Sequence, residues 1–310
     1  MKKQKSIFNV VFITVIGIVL AVYALSIVFT LGWGLLTSFK SVIDFDMDKN
    51  VLGLPNADYS EAEIAFENYK RIFRNFQFDR SAKFYINGKY TEHYTHATFF
   101  TMLINTILYA VVGSLLQAIV PAVCAYLCAK FKYKYSKIIY TVVLFSMIIP
   151  IYGSTSAALA LLKNMGVYDT FIGYFMQKFN FTNMYFFVYF GFYESMPDTF
   201  SEAAEIDGAS RFRILLSIII PLSVKMISTV WLLQFVTFWN DYQTSLLYMP
   251  TYPTLAYGIY VLCHETAKGD LANVPSKVAG CMILALPLLM IFIVLKDKLM
   301  GNISLGGIKG

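Results

Sequence analysis

The chain has 310 residues, of which 57% are hydrophobic and only 14% charged, with a formal net charge of +6. Soluble domains carry roughly a quarter charged residues, so this composition excludes an ordinary soluble protein and points to an integral membrane protein. The positive charge calls for no nucleic-acid partner, because the lysines and arginines fall where membrane topology would put them.

A helix crossing the hydrocarbon core needs about 20 apolar residues. Runs of that character lie at residues 8–36, 99–129, 138–162, 184–196, 218–247 and 278–295, which predicts an all-α integral membrane fold with about six transmembrane helices. The first run follows Met1-Lys2-Lys3-Gln4-Lys5, a basic start that signal peptides share. Its apolar stretch is about twice as long as a signal core, so it reads as a retained helix. The connection after it, residues 41–97, is an extended outer loop mixing acids such as Asp44 and Glu67 with bases such as Arg71 and Arg80. Its aromatics, among them Tyr59, Phe66, Tyr69, Phe76 and Phe84, predict a small folded lobe. Lys130, Lys132, Lys134 and Lys137 follow the second run. The fourth run is the weakest, closed early by Glu194 and Pro197. Pro121, Pro150 and Pro287 lie within predicted spans, where each removes a backbone hydrogen bond and favours a kink.

A polar island, residues 197–221, separates the fourth and fifth runs. Helix formers fill Glu202 to Ile206, Asp207-Gly208 can supply a residue at positive φ that ends a short helix, and Ser210 can cap the next. The island therefore reads as helix, turn, helix, a surface element that docks rather than crosses. Six spans put its Arg211 and Arg213 on the same side as Lys2, Lys3 and Lys5, the lysines after the second run, and Lys296, Lys298 and Lys309. The positive-inside rule makes that side cytoplasmic, termini included. In the fifth run, Gln234, Trp239, Asn240 and Tyr242 offer hydrogen-bonding and ring-stacking groups of the kind that contact sugars, which makes them candidate substrate-pathway residues. Trp and Tyr are also enriched at membrane interfaces, so an interfacial belt is the competing reading.

No catalytic residue, cofactor or metal site is predicted. Gly301 and Gly306 have the separation of a phosphate-binding loop, but Gly307-Ile308 stand where lysine and a hydroxyl residue are needed. Any ATP-driven step therefore needs another chain to hold the nucleotide. Cys124, Cys128, Cys263 and Cys281 read as small buried hydrophobes, with Cys263 standing alone near the outer surface. His93 and His96, with Glu92, are too few ligands for zinc. Asp241 is the one strong candidate for an ionisable group in the membrane interior, a thin basis for ion-coupled transport.

Met196-Pro197-Asp198, Glu202-Ala203-Ala204, Ile206-Asp207-Gly208-Ala209-Ser210 and Pro221-Leu222 together resemble the EAA signature of ABC-transporter permeases, in the form used by maltose-type carbohydrate importers. Phe238-Trp239-Asn240-Asp241-Tyr242 is similar to that family's Trp-Asn-Asp segment, and Tyr252-Pro253-Thr254-Leu255 to its next outer loop. Asn105-Thr106, Ala125-Tyr126 and Ala129-Lys130-Phe131 resemble its second span, Gly166-Val167-Tyr168-Asp169-Thr170 the turn after its third, and Gly306-Gly307-Ile308-Lys309-Gly310 its glycine-rich tail. Two features depart from the pattern: the long outer loop, and Lys296-Asp297-Lys298 before the tail.

The resemblance implies an N-terminal helix at 1–40, an extracytoplasmic loop or lobe at 41–97, and a permease core at 98–310 with a cytoplasmic coupling loop at 197–221. It also implies a non-enzymatic permease subunit of an ATP-driven importer for sugars or oligosaccharides in the cytoplasmic membrane. Its partners would be a second permease subunit, two copies of a cytoplasmic ABC ATPase, an extracytoplasmic sugar-binding protein and membrane lipid. Glu202 would pair with a basic residue of the ATPase cleft, Ala203 and Ala204 would allow close approach, and Asp207-Gly208 would provide the turn. A permease for a polyamine or an anion, or a membrane receptor or scaffold, are the competing functions.

Overall fold

The computed structural model describes residues 7–56, 66–86, 89–131, 133–149, 153–265 and 269–303. Lys2, Lys3, Lys5, Tyr59, Lys132, Pro150 and the glycine-rich tail lie outside them. The chain order is α1 (Ile7–Ser38), α2 (Glu67–Asn75), strands β1 (Gln77–Ile86) and β2 (Lys89–Thr98), α3 (Phe99–Lys130), α4 (Lys134–Ile148), α5 (Ser154–Asn164), α6 (Phe171–Lys178), α7 (Met184–Ser195), α8 (Thr199–Ile206), α9 (Arg211–Ile214), α10 (Ile220–Trp239), α11 (Gln243–Tyr248), α12 (Leu255–His264) and α13 (Val274–Ile303). A π-helical turn at Leu215–Ile219, in which the Ile220 N–H reaches back to the Leu215 carbonyl, joins α9 to α10 in one continuous helix.

Among the described residues four helices are long and apolar enough to cross a membrane: Asn9–Ser38, Phe99–Lys130, Arg211–Trp239 and Val274–Val294. The other apolar runs form shorter helices for local reasons. Run 138–162 divides into α4 and α5. Ile149, which precedes Pro150, is extended at φ −83° and ψ 113°, because the proline ring crowds the helical conformation of the residue before it. Gly153 then starts α5 at φ 79°. Run 218–247 stops being helical at Trp239 and resumes at α11. Pro121 and Pro287 lie inside α3 and α13.

The chain forms two compact units. The first comprises residues 1–76 and 261–286. Within it α1 is apolar on every side and exposed from Asn9 to Gly32, as a helix solvated by lipid would be, while Gly34, Thr37 and Ser38 at its C-terminal end are buried. Its C-terminal end is held by Asn68, whose amide donates to the Ser38 and Lys40 carbonyls at 2.9 Å each and accepts from Ser276 Oγ at 3.2 Å. Cys263 Sγ lies 4.0 Å from Cys281 Sγ, so the thiol read as isolated has a neighbour contributed by α13.

The second unit, residues 77–260 and 287–310, is organised around α3. Ala118, Ala122 and Ala125 are buried along α3. Their small side chains let Phe186, Tyr189 and Tyr193 of α7 approach closely, with Ile219 and Val230 completing the cluster. The β1–β2 hairpin leads straight into α3, with Thr98 as the cap: its side chain accepts from the Thr101 N–H. Side chains alternate across the hairpin. One face carries Phe78, Arg80, Ala82, Phe84 and His93 toward the helices. The other carries Asp79, Lys83, Tyr85, Tyr90, Glu92 and His96 to solvent.

Candidate functional site

The polar island folds as two short helices around a left-handed turn. In α8 the Gly208 N–H donates to the Glu205 carbonyl at 3.0 Å and the Ala209 N–H to the Ala204 carbonyl at 2.9 Å, with Gly208 at φ 77°. This is the paired 5→2 and 6→1 bonding that terminates a helix on a left-handed residue, and it satisfies carbonyls the helix would otherwise leave unpaired. Ser210 then caps α9, its Oγ accepting from the Arg213 N–H at 3.3 Å. A Cβ added at Gly208 would meet nothing within 4 Å, so only its backbone conformation restricts the residue there.

Of the predicted coupling residues, Glu202, Ala203, Asp207 and Gly208 are exposed, whereas Ala204 is buried and packs into the cluster of α3 and α7. Two large apolar side chains to which the sequence reading assigned no role of their own stand out from the same element: Ile206 is 86% exposed and Phe212 69%. Their signal was present, since an isoleucine and a phenylalanine in a polar island have no span to bury them.

The four predicted pathway residues do not converge. Gln234 and Trp239 are five residues apart in α10, roughly 140° apart around a helix of 3.6 residues per turn. Trp239 is buried and packs against Phe235. Asn240 donates back to the Val236 carbonyl of its own helix at 3.0 Å. Tyr242 stacks on Tyr260, with ring centroids 4.7 Å apart and planes 9° apart. A cluster does form around the neighbouring Asp241: one carboxylate oxygen accepts from the Tyr109 hydroxyl and the other from the Thr244 N–H at 3.0 Å. Tyr174 stacks on Tyr109 with centroids 4.1 Å apart, and the Lys178 ammonium stands 4.5 Å from the Phe238 ring centre. Sequence reading missed Lys178, Tyr109 and Tyr174, which come from α6 and α3 and carry no local motif.

The two hairpin histidines go to separate acids. His93 Nδ1 lies 2.8 Å from Asp169 Oδ2, and His96 Nδ1 lies 2.7 Å from Asp79 Oδ1. Asp169 is fully buried at φ 57° and also accepts from the Thr251 N–H at 3.0 Å and the Thr251 hydroxyl at 2.7 Å. It thereby joins the hairpin, the turn before α6 and the loop before α12. Arg80 Nε donates to the Tyr257 hydroxyl at 2.7 Å, and Phe84 meets Tyr168 edge-on at 4.9 Å.

The family described as "Binding-protein-dependent transport system inner membrane component" matches residues 121–299, more than half of the chain, from the second half of α3 through the island to α13. The chain belongs to that family. As an inner membrane component of this kind it is a multi-pass transport permease, as the sequence led us to expect. Among curated relatives of this permease, the melibiose/raffinose/stachyose import permease protein of Bacillus subtilis is 27% identical over 225 residues, covering 71% of this chain and 80% of its own. The galactooligosaccharides transport system permease protein of the same organism is 26% identical over 254 residues, covering 79% and 80%. The maltose/maltodextrin transport system permease protein of Vibrio vulnificus is 25% identical over 220 residues, covering 68% and 72%. A chain in the crystal structure of a bacterial ABC transporter involved in the import of the acidic polysaccharide alginate has the same fold, with a TM-score of 0.70 at 20% identity, covering 96% of this permease and 99% of that chain.

Proposed function

We propose that this permease carries sugars or oligosaccharides inward and that the element 197–221 is where a separate cytoplasmic ATPase drives it. In the assembly we infer, a second permease subunit completes the pathway, two ATPase copies dock from the cytoplasmic side, and an extracytoplasmic sugar-binding protein delivers the substrate. Both termini and the α8–α9 element face the cytoplasm, and the hairpin faces outward. The core begins at residue 98, with 1–40 as the first helix and 41–97 as the outer loop. The sugar-import names of the relatives support the substrate class. Gln234, Trp239, Asn240 and Tyr242 are the residues of α10 and its exit that we assign to the pathway.

The observation that carries this reading is the exposed α8, whose polar side chains precede a left-handed glycine turn. Glu202 offers a carboxylate for a basic group in the ATPase cleft, Ala203 keeps the approach close, Ala204 seats the helix on the core, and Asp207-Gly208 sets the direction of α9. The test is Gly208→Val. A β-branched residue at φ 77° is strained by about 1–2 kcal/mol or more, which tilts α9 away from α8 while leaving the spans untouched. Oligosaccharide uptake by the reconstituted complex should fall about tenfold with ATPase association weakened. Glu202→Ala keeps the helix and removes one charge-assisted contact, so its loss should be smaller. Full uptake with normal ATPase association in Gly208→Val would end the coupling role.

A further inference from the structure

The C-terminal end of α3 and the residues just after it grip the α8–α9 element at two places, the start of α8 and the start of α9. At the first, Lys130 Nζ donates to the Met196 carbonyl and to Asp198 Oδ1, the latter at 2.6 Å, just where α8 begins. The Lys130 side chain is only 11% exposed. At the second, the Arg211 guanidinium lies over the Phe131 ring, 5.1 Å from its centre, and donates to the Tyr133 hydroxyl at 2.9 Å. The Phe131 and Tyr133 rings are parallel to within 2° with centroids 6.2 Å apart, and the one guanidinium reaches both. Arg211 also reaches back to Glu205, 3.9 Å away, and so ties α9 to α8.

Helices of eight and four residues are far below the length at which a helix holds itself together in water. The direction of this element is therefore set by what holds it. One connection is covalent: α9 continues into α10 through the π-helical turn. Ala204 and Ile214 seat the element in the core cluster. Two cationic contacts then tie it to the end of α3: Lys130 from the last turn of that helix, and Arg211 through Phe131, which caps it, and Tyr133, which precedes α4. With 32 residues, α3 at 1.5 Å per residue is a rod about 48 Å long. A planar guanidinium stacked on an aromatic face and bonded to a hydroxyl fixes orientation as well as distance, which an ammonium in the same place would not do.

Resting on the coupling role proposed above, we infer that Lys130 and Arg211 are positioning residues that make α3 a second lever, so that a push on the α8–α9 element moves α3 together with α10. Neither residue touches substrate; each acts by holding the element to the end of the rod.

The experiment uses the whole importer in proteoliposomes, with permeases, ATPase and binding protein. It reads ATP hydrolysed per labelled oligosaccharide imported, using whichever of maltotriose, raffinose and galactotriose the unaltered complex transports. The double variant Lys130→Met/Arg211→Ala should still copurify with the ATPase and lose less than half of its hydrolysis, while uptake falls about tenfold. ATP spent per sugar then rises at least fivefold. Lys130→Arg should restore the ratio at its position, whereas Arg211→Lys should not, because it keeps the charge and loses the stacked fork. If the double variant does not assemble, Arg211→Lys alone carries the test. An unchanged ratio in an assembled complex overturns the inference, as does a proportional loss of hydrolysis and uptake, which is what a merely structural role produces. If Gly208→Val uncouples the complex and these variants do not, the inference fails while the coupling reading stands. If Gly208→Val too keeps full uptake with normal ATPase association, the coupling reading fails as well.

Discussion

The two ends of α3 are finished in opposite ways. At its N-terminal end the hairpin continues into the helix without a linker and lies on its own buried face, locked by Phe84, Arg80 and the fully buried Asp169. At its C-terminal end the α8–α9 element is held by Lys130 at the start of α8, by Arg211 at the start of α9, and by Ala204 and Ile214 in the core cluster, and it leaves Ile206 and Phe212 standing free of the core. A face buried in a sheet of contacts resists displacement, because moving it strands several polar groups at once. An element seated on small side chains and two cationic contacts has fewer buried polar groups to strand when it moves. The difference separates an end locked by buried polar contacts from one that leaves large apolar side chains exposed.

The largest effect that could break this comparison is at Asp169. Asp169→Ala removes the partner of His93 and leaves the Thr251 N–H without its acceptor, at a φ of 57° that alanine tolerates less well than aspartate. A buried polar group left unpaired costs about 1–3 kcal/mol, so the variant should lose about 2–4 kcal/mol, read as a fall in the thermal unfolding midpoint of the purified permease. An unchanged midpoint would mean that the hairpin is not locked as described. His93→Ala should cost less, about 1 kcal/mol, because Asp169 keeps both bonds from Thr251. A double-variant cycle with Asp169→Ala measures their coupling, and strict additivity would dissolve the latch.

The smallest effect belongs to the outward face of the hairpin. The His96 ring and the Tyr94 hydroxyl hold the Asp79 carboxyl below the usual carboxylate range. A lowered value means that whatever the pair contributes is present at neutral pH and lost as the pH falls through that lowered value. Asp79 is solvent-exposed, however, and exposed pairs of this kind contribute little. Asp79→Asn should leave both the unfolding midpoint and its pH dependence unchanged between pH 5 and 8. A clear shift would show that the outward face matters to stability as much as the inward one.

The two ends also differ in how far they could be read from the sequence. The α8–α9 element was legible because its determinants are local: a glycine where the chain must turn left-handed, and a serine two residues later to cap the next helix. The latch was not, because His93 and Thr251 lie 76 and 82 positions from Asp169, and nothing near any of the three marks the others. The same distance hid Tyr109 and Lys178 from a reading that had already singled out Asp241. The hairpin lay in a loop recognised only by its aromatics, and alternation over ten residues was masked by polar side chains on both faces. The division of run 138–162 was half visible, since Pro150 was noted as a kink; what it does to Ile149 ends the helix outright.

The π-helical turn between α9 and α10 changes how that long helix must be read as a pattern. One residue more than an α-helical turn is accommodated in Leu215–Ile219, and each residue of an α-helix advances the side-chain direction by about 100°. A helical wheel drawn straight through Arg211–Trp239 therefore places Arg211, Phe212 and Arg213 out of phase with the rest by about that angle. Faces inferred from periodicity alone would turn Arg211 away from Phe131 and Tyr133, and any scan of charged or apolar stripes along this helix has to be counted separately on either side of the turn.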